Sequence, residues 1–584
     1  MDSGGSTHFR DRHKEINRDE IDLIVVGSGA AGLTAACTAA SLGKHVLVLE
    51  SSEKVGGTSA ISGGMVWIPA NTKAAEAGHK DSISAAMEYL KKMVPGASRD
   101  ARLQAFLERG NEAISFLENH TSLRLQPVSR YPDYYPDLPG ATDGGRVLEP
   151  VDFDASALGS AFLQLRDPLP EFMLMGGMMV SRKDLPAFRR IVRSPSALWH
   201  ASKLVTKYLF QRLRAHRGTT LVLGNALMAR LFKSALDLGV EIKLDTAATG
   251  LITKGGAVVG VRVGYGEKSR NIHASQAVIL STGGISHHHE LRKDYVPHGA
   301  GTLSATANSG TSNCGAHLAV EIGAALTPIG GSASGFWVPA SRFQRSDGTP
   351  GVFPHTVTDR AKPGLIAVDQ QGRRFVNEAV SYHEFGIAQL SDPANRNPAW
   401  LVCDKHFLWT YGLGRIRPFS LSVRREINNG YLKTANTLES LAAQINVPVE
   451  NFTLTVTQYN AYASDGLDPA FGRGGNSYQR HMGDMDRQPN NCIAPITQSP
   501  FYALAVVPAD LGMAAGIVTD ELARVIDTNG QPIVGLYACG NDMHSVMNGA
   551  YPGPGITIGP ALVFGYIAAH HATGAHKQSL ASVK

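Results

Sequence analysis

Apolar and polar positions along this chain fall into short strand-like and helix-like blocks. Ile21-Asp-Leu-Ile-Val-Val26 and His45-Val-Leu-Val-Leu49 are apolar runs rich in β-branched residues, which predicts buried parallel strands. Leu33–Ala40 between them has a helical composition, and Gly43 punctuates its end. Ala277-Val-Ile-Leu280 and Gly535-Leu-Tyr-Ala538 predict two further strands, and Val240–Val263 is strand-rich. Trp199–Arg214 reads as an amphipathic basic helix whose apolar residues are Trp199, Leu204, Tyr208, Leu209 and Leu213. That stripe packs on the protein body in the commoner case; the alternative is contact with a membrane surface.

The first strand runs straight into Gly27-Ser-Gly29-Ala30-Ala31-Gly32, and the second ends at Glu50. A lone GxGxxG is weak, but strand before, helix after and acid at the end of strand two is the context a dinucleotide site needs. Gly27 permits the tight turn, Gly29 lets backbone approach a pyrophosphate, and Gly32 allows close helix–strand packing. Glu50 is placed to accept from an adenosine ribose. A second glycine-rich loop follows, with Gly57, Thr58, Ser59, Ser62, Gly63 and Gly64. It predicts FAD rather than NAD, because backbone must run beside both the diphosphate and the isoalloxazine. Thr282 and Gly283 after the third strand, and Gly540 and Asn541 after the fourth, complete the expected cradle, with Thr557 and Ile558 at its far end.

Composition narrows the classes. The 584 residues exceed one core, and 43% hydrophobic with 18% charged content describes a globular protein. A net charge of +5 without a dense Lys/Arg block argues against nucleic-acid binding. Five scattered cysteines without CxxC spacing fit reduced thiols in a cytoplasmic protein. No apolar run is long enough to span a bilayer, and residues 1–20 lack the apolar core of a secretory signal. His287-His-His289 reads as a surface loop, so no metal is expected.

Tyr551-Pro-Gly-Pro-Gly555 places a phenol beside a loop whose glycines leave a backbone N–H uncovered. Tyr551 and the Gly555 N–H form a candidate pair of donors for one carbonyl oxygen, which would acidify the neighbouring C–H. Pro552 and Pro554 stiffen that loop.

These motifs resemble the 3-ketosteroid Δ1-dehydrogenase family, within the fumarate reductase and succinate dehydrogenase flavoprotein superfamily. The likeness runs from about residue 20 to about 575 and includes Ser62–Pro69, Gly372-Arg-Arg-Phe-Val-Asn-Glu378 and Gly559-Pro-Ala561. It implies an α/β fold: a discontinuous Rossmann-like FAD-binding domain carrying an inserted α+β catalytic cap. It implies that Tyr382 is the proton-abstracting base and that a tyrosine of Tyr131-Pro-Asp-Tyr134-Tyr135 assists, with Tyr134 preferred and Tyr131 and Tyr135 left open. Thr58–Gly64 has no histidine for covalent attachment, so FAD is expected to be noncovalent. The expected substrate is a hydrophobic cyclic ketone, foremost a 3-ketosteroid desaturated at C1–C2. A smaller cyclohexanone-type ring and a flavin ene-reductase are the alternatives. No second dinucleotide fingerprint follows, so a quinone or similar carrier is the expected electron acceptor.

The organisation expected is a leader over 1–20, a first flavin segment over 21–325 with a helical insertion near 160–225, a cap over 326–499, a returning flavin segment over 500–576, and a tail over 577–584. Gly-Arg-Arg-Phe at 372–375 reads as a turn with exposed arginines.

Overall fold

The computed structural model describes residues 20–191, 194–308, 313–328, 330–345 and 347–575. The expected leader, but for its last residue, and the expected tail lie outside them.

The two opening apolar runs form adjacent strands. Leu23–Val26 pairs in parallel with Val46–Leu49 on one side and Ala277–Leu280 on the other, with Val25 opposite Val48 and Ile279. Glu241–Lys243 extends the sheet beyond Val46–Leu49, and Pro532–Ala538 extends it beyond Ala277–Leu280. Arg524–Ile526 closes that edge antiparallel. The three central strands have every side chain buried, as unbroken apolar runs in a doubly covered parallel sheet require. Helix Ala30–Ser41 packs against helices Ile558–Ala572 and Leu223–Asp237, and the strand Ala257–Val263 of a small antiparallel sheet also lies against the main sheet.

A second sheet is antiparallel throughout, ordered Pro350–Pro354, Gly335–Gln344, Phe501–Met513, Ala399–Asp404, Leu365–Val368. The helix Tyr382–Leu390 packs on its Gly335–Gln344 strand. This corrects the boundary expected at 500. The turn signals before Pro500 mark entry into the longest strand of the second sheet. Phe501–Asp404 and Gly335–Met513 are paired in register along it, and the first sheet resumes only at Arg524.

The basic helix spans Pro195–Arg212, and its faces differ from those expected. Tyr208 points inward and donates to the Met175 carbonyl at 2.9 Å. Leu198 and Phe210 join Trp199, Leu209 and Leu213 on the exposed side.

Candidate active site

The glycines expected at the cofactor do two different jobs. At Gly27 φ is +106°, and a Cβ would stand 2.3 Å from the Ser281 carbonyl oxygen; at Gly32 it would stand 2.0 Å from that of Gly27. Both positions are closed to any side chain by backbone contact. At Gly29 and Gly57 a Cβ would make only ordinary contacts, with Ser59 Oγ at 3.9 Å and Gly29 Cα at 3.8 Å, and at Gly63 and Gly283 it would meet nothing within 4 Å. Gly29 caps the N-terminus of helix Ala30–Ser41 and Gly57 lies against it, so backbone bare of side chains faces that helix end, which suits a diphosphate. The residues present therefore fit a flavin dinucleotide.

The neighbours hold this backbone in shape. Ser59 Oγ accepts from the Ala30 N–H at 3.2 Å, and Ser62 Oγ donates to the Ser59 carbonyl at 2.8 Å and accepts from Gly64 at 3.1 Å. Thr58 Oγ1 accepts from the Ala307 N–H at 3.0 Å. Glu50 is buried, and Oε2 accepts from both the N–H and Oγ of Ser28, at 2.9 and 2.6 Å. Gly540, at φ +64°, comes so close to Ala31 that a Cβ would lie 2.9 Å from the alanine methyl. The buried Asp542 accepts from the Thr282 N–H, from Thr282 Oγ1 at 2.8 Å and from the Gly284 N–H at 3.0 Å. Burial pushes its carboxyl up to about 6 despite these donors.

A small cavity opens between Phe336, Met513, Asn541, Ile556 and Thr557, with Ile558 beginning the helix just beyond. Phe336 stands edge-on to Tyr551, ring centroids 5.3 Å apart, so the cavity joins the cofactor loops to the tyrosines. A larger cleft elsewhere is lined by Glu171, Arg415, Arg417 and Glu426. Its walls are charged and hold none of the tyrosines, which gives a lipophilic ring no reason to settle there.

Tyr382 opens a helix capped by Ser381, whose Oγ accepts from the Glu384 N–H at 3.2 Å. From that position Tyr382 Oη donates to Tyr551 Oη at 2.7 Å. Tyr134 packs on both: 5.7 Å from Tyr382 edge-on and 5.6 Å from Tyr551 stacked. Of the other two candidates, Tyr135 donates to Glu384, and Tyr131 lies beside His481 with its hydroxyl toward Met482 Sδ at 3.8 Å. Only Tyr134 of the three packs against both partners.

The Tyr551 loop is pinned from three sides. The Pro552 carbonyl accepts from Tyr89 Oη at 2.6 Å and from the Tyr134 N–H at 2.9 Å. The Gly555 carbonyl accepts from the Trp67 N–H at 3.2 Å and from Gly559 at 2.8 Å, while no acceptor among the described residues takes the Gly555 N–H. Gly555 has φ +95°, and a Cβ there would meet the Met65 carbonyl oxygen at 2.5 Å. The Trp67 indole donates to Asp133 at 2.9 Å, and Asp133 pairs with Arg146 at 2.8 Å. One buried ion pair thus positions both the Tyr134 segment and the glycine loop.

Burial dominates the acidity of these phenols. It pushes Tyr551 up to about 12, partly offset by the hydrogen bond from Tyr382. It holds Tyr382 well above the ordinary phenol range; Tyr551 adds to that, and the Tyr134 hydroxyl pulls the other way. Burial also lowers His383 to about 4, so this ring is neutral; its Nδ1 accepts from the Trp337 N–H at 3.1 Å.

Sequence reading missed the supports: Tyr89, Asp133, His383, Tyr478 and Asp542. None sits in a spaced motif, and each matters through a contact distant in the chain. Arg374 is corrected. Its side chain is only 6% exposed, pairing with Glu378 at 2.7 Å and Asp468 at 2.8 Å, while Arg373 is exposed as expected.

Residues 22–558 match the FAD binding domain family. The chain is 38% identical to 4-oxocyclohex-2-ene-1-carboxylate 5-dehydrogenase of Sinomonas cyclohexanicum, over 93% of this chain and 92% of that relative. It is 35% identical to 3-oxosteroid 1-dehydrogenase of Mycolicibacterium smegmatis, over 94% and 96%. Among solved structures, 3-ketosteroid Δ1-dehydrogenase from Sterolibacterium denitrificans, in complex with 1,4-androstadiene-3,17-dione, superposes with a TM-score of 0.87 at 36% identity, covering 95% of this chain and 99% of that one. The chain belongs to the FAD-binding flavoprotein family that includes the 3-ketosteroid Δ1-dehydrogenases, and it is an FAD-dependent oxidoreductase of the CH–CH class.

Proposed function

We propose that this chain desaturates a ring ketone next to its carbonyl, with 3-ketosteroids taken at C1–C2 as the leading substrate. The observation that carries the reading is the 2.7 Å contact between Tyr382 and Tyr551. The oxygen and the α-carbon of a ketone are two bonds apart, so the group that polarises one and the group that deprotonates the other must be neighbours.

With both phenols protonated, Tyr382 donates to Tyr551; once Tyr382 has ionised it can only accept, and the Tyr551 hydroxyl turns its hydrogen to the carbonyl oxygen of the bound ketone. The uncommitted Gly555 N–H is the second donor. Each such donor is worth on the order of 3 kcal/mol to a developing oxyanion. Tyr382, as phenolate, removes the α-proton, and Tyr134 stabilises it through its hydroxyl. Bound FAD supplies the hydride acceptor for the β-carbon. The candidate cofactor contacts are Gly29, Ala30, Gly57 and Gly283, with Glu50 for the ribose; the absence of histidine from Thr58–Gly64 supports noncovalent binding. A quinone or similar carrier is the proposed electron acceptor.

A membrane surface is the proposed second partner. Trp199, Phe210 and Leu213 are 66%, 67% and 79% exposed, beside exposed Lys203, Lys207, Arg212 and Arg214. That combination suits an interface where lipophilic ketones dissolve. No helix among the described residues is long and apolar enough to cross a membrane.

The second reading, a smaller ring ketone, is favoured by the likeness to the oxocyclohexene carboxylate dehydrogenase. Assay of androst-4-ene-3,17-dione and of 4-oxocyclohexanecarboxylate with a dye acceptor separates the two. The steroid reading predicts that androst-4-ene-3,17-dione is turned over with the higher kcat/KM. Turnover confined to the small ring overturns it.

A further inference from the structure

A buried phenol that must ionise needs a counter-charge, because desolvation penalises the anion. Tyr382 has no lysine or arginine hydrogen-bonded to it among the described residues. A buried arginine, Arg360, donates to the carbonyl of Val380, two residues before Tyr382.

The Arg360 guanidinium is buried at 3% exposure. Four of its N–H contacts go to backbone carbonyls: Nε to His355 at 2.7 Å, Nη1 to Glu378 and Val380 at 3.0 and 3.1 Å, and Nη2 to Thr356 at 3.1 Å. Among the described residues no carboxylate lies within ion-pair distance of it. The adjacent Asp359 accepts from the Arg360 backbone N–H at 2.9 Å, from His355 Nδ1 at 2.6 Å and from the Gly414 N–H at 3.1 Å, and not from the guanidinium. Beyond these carbonyls the guanidinium meets only the face of the Phe385 ring, 5.3 Å from its centroid, whereas buried charges are ordinarily paired. Burial lowers its pKa, while Tyr478, Asp359, Tyr134 and Tyr382 all favour its charged form, Tyr478 most.

The second observation is a pair of orphaned hydroxyls. Tyr134 Oη and Tyr478 Oη are buried without a hydrogen-bond partner. The Tyr478 ring lies 4.7 Å from Tyr134, and Tyr134 lies 5.7 Å from Tyr382. Tyr478, Tyr134 and Tyr382 thus form a run of phenols, and Arg360 holds the backbone at Val380, two residues before Tyr382.

We propose that Arg360 and Tyr478 are positioning residues for the base: the buried cation, through the hydroxyls of Tyr478 and Tyr134, stabilises the phenolate of Tyr382. The proposal rests on the reading of Tyr382 as the base. In the step, the phenolate oxygen gains the α-proton as the C–H bond breaks, and the bonding pair stays with the substrate carbon; Arg360 and Tyr478 exchange no atoms. The other groups around Tyr382 are Tyr551 and Tyr131, which oppose ionisation, and the neutral His383. Glu384 on the same helix is engaged by Tyr135.

The test is the pH profile of single-turnover flavin reduction by the ring ketone, in holoenzyme. Reduction requires the ionised base, so its rate rises with pH, and loss of a stabilising group moves that rise upward. Tyr478→Phe removes an unpartnered hydroxyl, a change that costs the fold little. It is expected to move the rise up by about one pH unit with FAD content and Tm unchanged. Arg360→Gln is expected to move it in the same direction, and Arg360→Lys to restore it toward wild type. An unmoved profile in Tyr478→Phe overturns the proposal, as do equal shifts in the two Arg360 variants. If Arg360→Gln fails to hold FAD, Tyr478→Phe decides. Tyr382→Phe is run alongside. If it loses reduction at every pH while Tyr478→Phe behaves as wild type, only this proposal falls; if it reduces flavin normally, the base reading falls too.

Discussion

At the scale of single residues, Gly555 is the position where chemistry and backbone constrain each other most tightly. Its φ of +95° and the 2.5 Å approach of Met65 oxygen leave no place for a Cβ. Gly555→Ala is expected to lower turnover about 100-fold by displacing one oxyanion donor. Strain of about 1–3 kcal/mol should accompany it, read as a lower holoenzyme Tm. Unchanged turnover would remove the Gly555 N–H from the mechanism. Tyr551 and Gly555 were singled out in the sequence because a phenol and a glycine lie four residues apart in one short loop. Tyr382 was legible only through resemblance. The choice among Tyr131, Tyr134 and Tyr135 was not settled there, since ring packing across chain segments leaves no local pattern. Arg374 was misread for a related reason: turns usually expose arginine, and Asp468, its distant partner, is invisible from the turn.

At the scale of elements, turns matter more than strands. Asp542 clamps the Thr282–Gly284 turn onto the loop after Pro532–Ala538, joining two parallel strands at their cofactor ends. Its folded value of about 6 lies above the ~3.9 of an ordinary Asp. Its contribution to stability is therefore full below that lower value and is lost as pH rises through the folded one. Two units correspond to on the order of 3 kcal/mol. Asp542→Asn cannot ionise and is expected to flatten this part of the Tm-versus-pH curve of the holoenzyme. An unaltered slope would contradict the assignment. The strands of the first sheet were readable because unbroken apolar runs have one home, a sheet covered on both faces. Phe501–Met513 was misallocated because an apolar run does not say which sheet it completes. Its pairing partners, Gly335–Gln344 and Ala399–Asp404, lie about a hundred residues or more away.

At the scale of the whole molecule, the phenols come from separate stretches of chain. Tyr382 stands on a helix packed on the second sheet, and Tyr551 on the loop leading into a helix of the first. Their 2.7 Å contact joins the helix of the second sheet to the loop of the first. The exposed face of Pro195–Arg212 is the other molecule-scale feature. Trp199→Glu with Phe210→Glu is expected to abolish co-sedimentation with vesicles containing anionic lipid. Turnover of a soluble ketone should stay within about twofold, because neither side chain touches the tyrosine cluster. Retained vesicle binding would exclude this face as the membrane contact.

The central claim is that Tyr382 takes a proton from the carbon beside a ketone held by Tyr551. The most direct measurement is anaerobic single-turnover reduction of the bound flavin by androst-4-ene-3,17-dione in wild type and Tyr382→Phe. The account predicts a rate at least about 100-fold lower in the variant, the range of a lost general base, with FAD still bound. Flavin reduction at the wild-type rate in Tyr382→Phe would contradict it.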